Sequence, residues 1–338
     1  MTIRVNPLDA RPGGGWGGGE EDTVLRIGLV NNMPDSALER TERQFFRLLG
    51  SAAPELSIRW YLFSLRGIPR SVGGNLHLLR QYYGSVSDLY RTEVDALIVT
   101  GAEPHQTDIR REPYWSELTE LFDWIDCARW PAVFSCLAAH AAVLHFDGLA
   151  RQRLTEKRFG LFDHATVAKH RLTAALAAPV PVAHSRWNEL TGDALGDAGY
   201  RVLTYAPEAG ADLFVNPQRD DLLFFQGHPE YEADTLAREY RRDVRRFLAG
   251  ASEHYPELPQ NYFSDDEVNA LTQFRERALY IRDERLLDNF PGIVLRSGQK
   301  IPPMAPVFGA WLRQIDDAKA ERLGLQRKQR HLAGLQVP

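Results

Sequence analysis

Cysteine is scarce in this chain. Cys127 and Cys136 are its only two in 338 residues, so a disulfide framework is excluded by count. No Cys-x-x-Cys spacing offers a metal site either. Long apolar runs are also missing, and no stretch is long enough to span a bilayer. The first 22 residues hold no hydrophobic signal core. They hold Gly13-Gly14-Gly15-Trp16-Gly17-Gly18-Gly19 instead, which reads as a flexible segment. Excess positive charge is absent too. A formal net charge of -5 gives no electrostatic reason to propose nucleic acid as a partner. The clusters Arg241-Arg242 and Arg327-Lys328-Gln329-Arg330 read as solvated helix faces. There is no internal repeat. A cytoplasmic protein with neither membrane nor nucleic-acid partners is the expectation.

What is present is globular composition, 44% hydrophobic and 25% charged, enough for one large domain or two smaller ones. Strand and helix patterns alternate. Val24–Val30, Leu56–Phe63, Asp95–Ala102, the run ending at Phe134 and Leu222–Gly227 read as strands. Ala37–Leu49, Tyr114–Cys127, the segment from Cys136 to Leu144 and Ala233–Leu248 read as helices. This alternation predicts an α/β fold, a mostly parallel sheet with helices on both faces. Downstream the pattern weakens. Asp265–Leu287 looks helical, Arg296–Pro306 reads as a loop, and Ala310–Gly324 and Arg327–His331 read as terminal helical pieces. The expected organisation is a flexible segment 1–22, a catalytic domain 23–263 and a partly helical C-terminal extension 264–338.

Two segments carry chemistry. Cys136 lies where an apolar strand turns into a small-residue helix, so its sulfur would sit near a helix N-terminus that favours thiolate. His228-Pro229-Glu230 follows the Leu222–Gly227 strand. A His two residues before a Glu could supply a base and its orienter. Taken alone, Cys136 is a small buried hydrophobe and His-Pro-Glu a helix start. Ligands bind at the carboxyl ends of parallel strands. Gly101-Ala102, Cys136 and Gly227-His228 would all lie at such ends, where they could share a site for covalent thiol catalysis. Cys127, at a helix end, reads as structural.

Several spaced blocks resemble one family. These are Leu29-Val30-Asn31-Asn32-Met33-Pro34 with Thr41-Glu42-Arg43-Gln44-Phe45, the Asp95–Ala102 run with Tyr114-Trp115, and Leu154-Thr155-Glu156-Lys157-Arg158-Phe159-Gly160. Further blocks are Ala183-His184-Ser185-Arg186, Gly227-His228-Pro229-Glu230-Tyr231 with Tyr240-Arg241-Arg242-Asp243, and Pro259-Gln260-Asn261-Tyr262-Phe263. From about residue 24 to 263 the chain resembles the homoserine O-acyltransferases of methionine biosynthesis, whose fold is class I glutamine-amidotransferase-like (flavodoxin-like). The resemblance implies Cys136 as acyl-thioester nucleophile, His228 as general base and Glu230 as its orienter. It implies Lys157, Ser185 and Arg242 as substrate-binding residues. It also implies an acyl-CoA co-substrate, a hydroxy amino acid acceptor and no tightly bound cofactor or metal, with a homodimer as candidate assembly.

On this pattern the reaction is ping-pong acyl transfer, with backbone N–H groups of Leu137, Gly101 and Ala102 steadying the oxyanion. Leu137 and His140 depart from the family's usual Trp and Gln. The position that tracks acyl choice falls on His105. A side chain bulkier than glycine there favours acetyl-CoA slightly over succinyl-CoA. Serine or another hydroxy amino acid is an alternative acceptor. A glutamine-amidotransferase-like cysteine hydrolase is an alternative activity, although Phe134 and Ala138 occupy the glycine positions of a glutaminase elbow.

Overall fold

The computed structural model describes residues 4–5, 24–292 and 302–334, with side chains for 24–292 and 302–324. The segment 1–22 lies outside the described residues except for Arg4–Val5. So do most of the loop expected at Arg296–Pro306 and the side chains of the basic cluster at 327–330.

Among the described residues the strands are β1 (Arg4–Val5), β2 (Val24–Val30), β3 (Ser57–Phe63), β4 (Ala96–Val99), β5 (Ala132–Ser135), β6 (Gln152–Thr166), β7 (Val180–Glu189), β8 (Arg201–Val202), β9 (Thr204–Ala206), β10 (Gly210–Ala211), β11 (Leu213–Asn216) and β12 (Arg219–Phe225). The α-helices are α1 (Leu38–Ala52), α2 (Val72–Arg80), α3 (Val86–Leu89), α4 (Trp115–Cys127), α5 (Leu137–Asp147), α6 (Gly192–Asp197), α7 (Thr235–Leu248), α8 (Asp265–Ile281) and α9 (Ala305–Gly334). The main sheet runs β1-β3-β2-β4-β5-β12-β11-β8. It is parallel from β1 through β12, and β11 and β8 add an antiparallel edge. Counting β2 as first, the central five strands follow the order 2-1-3-4-5, which is flavodoxin-like.

The central strands form because both their faces are covered. All four residues of β4, Ala96–Val99, are buried, as are all four of β5, and a parallel strand buried on both faces reads as a continuous apolar run. On one face Phe122 and Ile125 of α4 and Ala138 and Ala142 of α5 pack with Val99, Phe134 and Phe224. On the other, Phe45 and Leu49 of α1 and Phe308 and Trp311 of α9 pack with Leu29, Trp60, Val133 and Phe225. Burying each such side chain contributes about 1.5–3 kcal/mol. Helix α9 lies in the stretch read as an extension, yet it forms part of the α/β body. It is also one helix where the pattern suggested two pieces. A helical glycine such as Gly324 costs only about 1 kcal/mol.

A second sheet, β10-β9-β6-β7, is antiparallel throughout. The sequence pattern does not announce it, because the first half of β6 is charged and largely exposed. This sheet stands on the carboxyl edge of the main one through a bridge between Ala183 and His228. Gly160 joins it to the segment after α7. Its φ is +155°, and any Cβ there would collide with the Gln260 backbone. Gln260 N–H donates to Phe159 O (2.8 Å) and Leu161 N–H to Gln260 O (3.0 Å). Helices α7 and α8 pack through Leu236, Tyr240 and Phe247 against Leu271 and Phe274. Among the described residues no helix is long and apolar enough to cross a membrane.

Candidate active site

Three loops leave the carboxyl edge of the parallel strands and meet there. They follow β4, β5 and β12. Cys136 is the N-cap of α5, with φ +53° and ψ −114°. A non-glycine residue held in such a conformation costs of order 1–3 kcal/mol and persists only when its surroundings determine it. Here they do. Cys136 N–H donates to Phe225 O (2.8 Å), while Ala139 and His140 N–H reach back to Cys136 O (3.0 and 3.3 Å). A sharp strand-to-helix turn of this kind exposes a nucleophile at the head of a helix. The Cys136 residue is half-buried, whereas Cys127 is exposed at the end of α4.

His228 is fixed from both ends. Its N–H donates to Ala183 O (2.9 Å), and its Nδ1 lies 3.0 Å from Glu230 Oε1. Both side chains are buried. Tyr231 stacks on the imidazole with ring centroids 4.1 Å apart. Burial alone would push His228 down, but the charges of Cys136 and Glu230 and hydrogen bonds to both raise it well above its ordinary value. Cys136, His228 and Glu230 therefore form one connected unit.

Leu137 N–H is the first amide of α5 and has no intrahelical acceptor. Gly101, at the end of β4, lies against it. A Cβ built on Gly101 would be 3.1 Å from Leu137 N. Ala102 follows, half-buried. The three backbone positions expected to line an oxyanion hole are thus adjacent. His105 is exposed. Its N–H and that of Gln106 both donate to Glu112 Oε1 at 2.6 Å, so Glu112 holds the loop by its backbone.

Lys157, Ser185 and Arg242 converge on α7 and its acids. Ser185 Oγ donates to Glu239 Oε2 (2.7 Å), and the Tyr231 hydroxyl donates to Glu239 Oε1. Lys157 Nζ is 3.5 Å from Asp243 Oδ2 and 4.0 Å from the Phe159 ring centroid. Arg242 Nε donates to Asp243 Oδ1 (2.9 Å). Burial would raise the Glu239 carboxyl, but Lys157, Arg242 and His228 outweigh it and hold it below its usual range. The result is a site with both signs of charge beside the His228 ring, the pattern an amino-acid zwitterion requires. Glu239 and Tyr231 were not singled out from the sequence. Glu239 stands one turn before Arg242 and Asp243, an i, i+3 and i+4 relation, and Tyr231 follows Glu230 directly.

Behind His228 lies a buried polar layer. Asp212 Oδ1 accepts Gly227 N–H (2.7 Å), and burial raises its carboxyl to about 6. His184 and His164 share an Nε2–Nε2 contact of 3.0 Å. Gln226 ties His140 to Leu190 and Ala211. These bonds fix the strand ends from which the site residues project.

Comparison with known proteins bears on the chemistry. A family model described as homoserine O-succinyltransferase matches residues 19–280. A homoserine O-succinyltransferase of Rhodopseudomonas palustris is 46% identical over 275 residues, which is 81% of this chain and 82% of that protein. One from Bradyrhizobium japonicum is 45% identical over 316 residues, 93% of this chain and 97% of that protein. A solved glutamine amidotransferase from Methylobacillus flagellatus overlays with a TM-score of 0.47 at 12% identity, over 86% of this chain and 94% of that one. That last likeness is too low to bear on fold or activity.

Proposed function

The chain belongs to the homoserine O-succinyltransferase family, a family of acyltransferases, and from that premise we propose that it moves a succinyl group from succinyl-CoA to the hydroxyl of L-homoserine through a thioester on Cys136. The reaction would commit homoserine to methionine biosynthesis in the cytoplasm. The observation that carries the mechanism is the strained Cys136 turn beside a His228 already coupled to it and to Glu230.

The first half-reaction forms the acyl-enzyme. Cys136 Sγ attacks the thioester carbonyl, and Leu137 N–H with the Gly101-Ala102 amides receives the oxyanion. The tetrahedral intermediate collapses, the carbon–sulfur bond to CoA breaks, and His228 gives its proton to the departing thiolate. The second half-reaction reverses these roles. His228 takes the proton of the acceptor hydroxyl, whose oxygen attacks the acyl carbon and releases Cys136. Glu239 suits the ammonium of the acceptor, and Arg242 with Lys157 suits its carboxylate.

Succinyl is preferred here to the acetyl donor suggested by His105. That suggestion needs the imidazole to crowd the acyl group, and an exposed residue supplies no wall. The names of the relatives point the same way. The test is a matrix of succinyl-CoA and acetyl-CoA against homoserine and serine. Succinyl-CoA with homoserine should give the highest kcat/KM. Intact-protein mass spectrometry with donor alone should show the acyl mass on Cys136 and none in Cys136→Ala. Turnover without that adduct would rule out the covalent route.

A further inference from the structure

The guanidinium groups of Arg186 and Arg151 both interact electrostatically with Cys136. They are used differently. Arg186 is buried and its donors are committed to Ala209 O, Asn188 O and His184 Nδ1. Arg151 is half-buried, and among the described residues no hydrogen bond or ion pair engages its side chain. It occupies the link between α5, the helix that Cys136 begins, and β6. The chain turns there at Gly148, with φ +69°.

The surroundings of Arg151 are also unfinished. Tyr114 and Glu112 both interact with its charge. Tyr114 is 1% exposed and Glu112 is 3% exposed, and among the described residues the Tyr114 hydroxyl and Glu112 Oε2 have no hydrogen-bond partner. Buried polar atoms left without partners are uncommon, and each calls for an explanation. Glu112 attracts Arg151 from a distance only. Its Oε1 holds the backbone at His105 and Gln106, and no ion pair joins the two residues. Arg153, over the Trp187 ring at 4.5 Å, adds a like charge nearby. The cluster is therefore net positive, partly dry and beside the nucleophile. It is separate from the Ser185–Glu239–Arg242 cluster assigned to the acceptor.

Succinyl differs from acetyl by one methylene and a terminal carboxylate. Once the acyl carbon is on Cys136, that carboxylate must lie a few bonds away in a half-buried site. An anion there needs a cation, and a guanidinium fork matches a carboxylate with two parallel bonds. We propose that Arg151, aided by the Tyr114 hydroxyl, binds the distal carboxylate of the succinyl donor and so sets donor choice. This rests on the succinyl-transfer reading above.

The test compares wild type, Arg151→Met, Arg151→Lys and Tyr114→Phe by kcat/KM for succinyl-CoA and for acetyl-CoA, at saturating homoserine. Arg151→Met should lose about 10–100-fold with succinyl-CoA, the worth of a charge-assisted bond, and change far less with acetyl-CoA. Arg151→Lys should recover part of the loss, and Tyr114→Phe should show a smaller loss in the same direction. The acetyl reaction doubles as the check that each variant is folded. Equal losses on both donors would overturn the proposal. A shifted pH profile of Cys136 alkylation by iodoacetamide would then assign Arg151 to the thiol. Unchanged donor ratios in Arg151→Met would overturn it as well. A wild type that prefers acetyl-CoA would remove the succinyl reading itself, a result seen before any variant is made.

Discussion

Gly101→Ala tests where the oxyanion forms. The built methyl would sit 3.1 Å from Leu137 N and 3.2 Å from Leu137 Cβ. Leu137 N is backbone at the fixed start of α5 and cannot swing aside as a side-chain tip could. The methyl therefore occupies space next to the amide that the oxyanion would use. Gly101 is not among the positive-φ glycines, so alanine is acceptable to the backbone. Crowding should cost about 1–3 kcal/mol of stability, which a large α/β domain can tolerate. Losing one oxyanion donor typically costs about 10²–10³ in kcat, or about 2.7–4 kcal/mol of transition-state stabilisation. The expected result is thus a folded, slightly less stable variant with acylation slowed by about two to three orders of magnitude. Quenched single-turnover mass spectrometry of Cys136 gives the acylation rate, and a thermal melt reports folding. A folded Gly101→Ala enzyme that acylates at the wild-type rate would show that the oxyanion lies elsewhere.

Four further outcomes follow from the same geometry. His228→Ala should lower kcat by about 10²–10⁴-fold, with Glu230→Gln milder because Glu230 orients the ring; steady-state kinetics decides, and an active His228→Ala ends the base assignment. Glu239→Gln should raise the homoserine KM about 10-fold or more while leaving the succinyl-CoA KM near its starting value; equal rises would make Glu239 structural. Because His228 is raised in the folded state, its pairing stabilises the fold fully below about 6.5 and is lost as pH rises through the folded value; NMR titration should find the ring value lower in Cys136→Ala, where burial is no longer offset by the Cys136 charge. Trp311→Ala should cost about 3–5 kcal/mol in urea unfolding, since Trp311 is fully buried on the sheet.

The main sheet was legible because its strands are buried on both faces. Runs such as Ala96-Leu97-Ile98-Val99 and Leu222-Leu223-Phe224-Phe225 are apolar at every position, and the helices between them keep an apolar stripe. Cys136, His228 and Glu230 were legible as residues that follow such strands. The second sheet was not, since Glu156, Lys157 and Arg158 in β6 leave no clean alternation until Phe159. Glu239 looked like any acid on a helix face, and only folding brings Ser185 and Tyr231 onto it. Arg151 carries no local pattern at all. It stands out only because nothing among the described residues pairs with its side chain, a property of three-dimensional packing that one chain read in order does not display.

Helix α9 has a consequence for how the protein is made. It covers one face of the main sheet, with Phe308 stacked on Phe225 at 5.6 Å. Lys319 Nζ is tied to Val24 O and Asp95 Oδ2 at 2.6 and 2.7 Å. The ribosome completes β12 before α9 exists. Trp311 comes 86 positions after Phe225, which at about 5–20 residues per second is roughly 4–17 s of synthesis. Through that interval the strands that lead to Cys136 and His228 can pair, while the apolar ground beneath Phe225, Trp60 and Val133 is roofed by α1 without its partner helix. Apolar surface exposed in this way during synthesis is prone to aggregation. A C-terminal truncation freezes the chain in that half-roofed state, so losses from such a truncation should show first as aggregation during expression and only afterwards as missing activity.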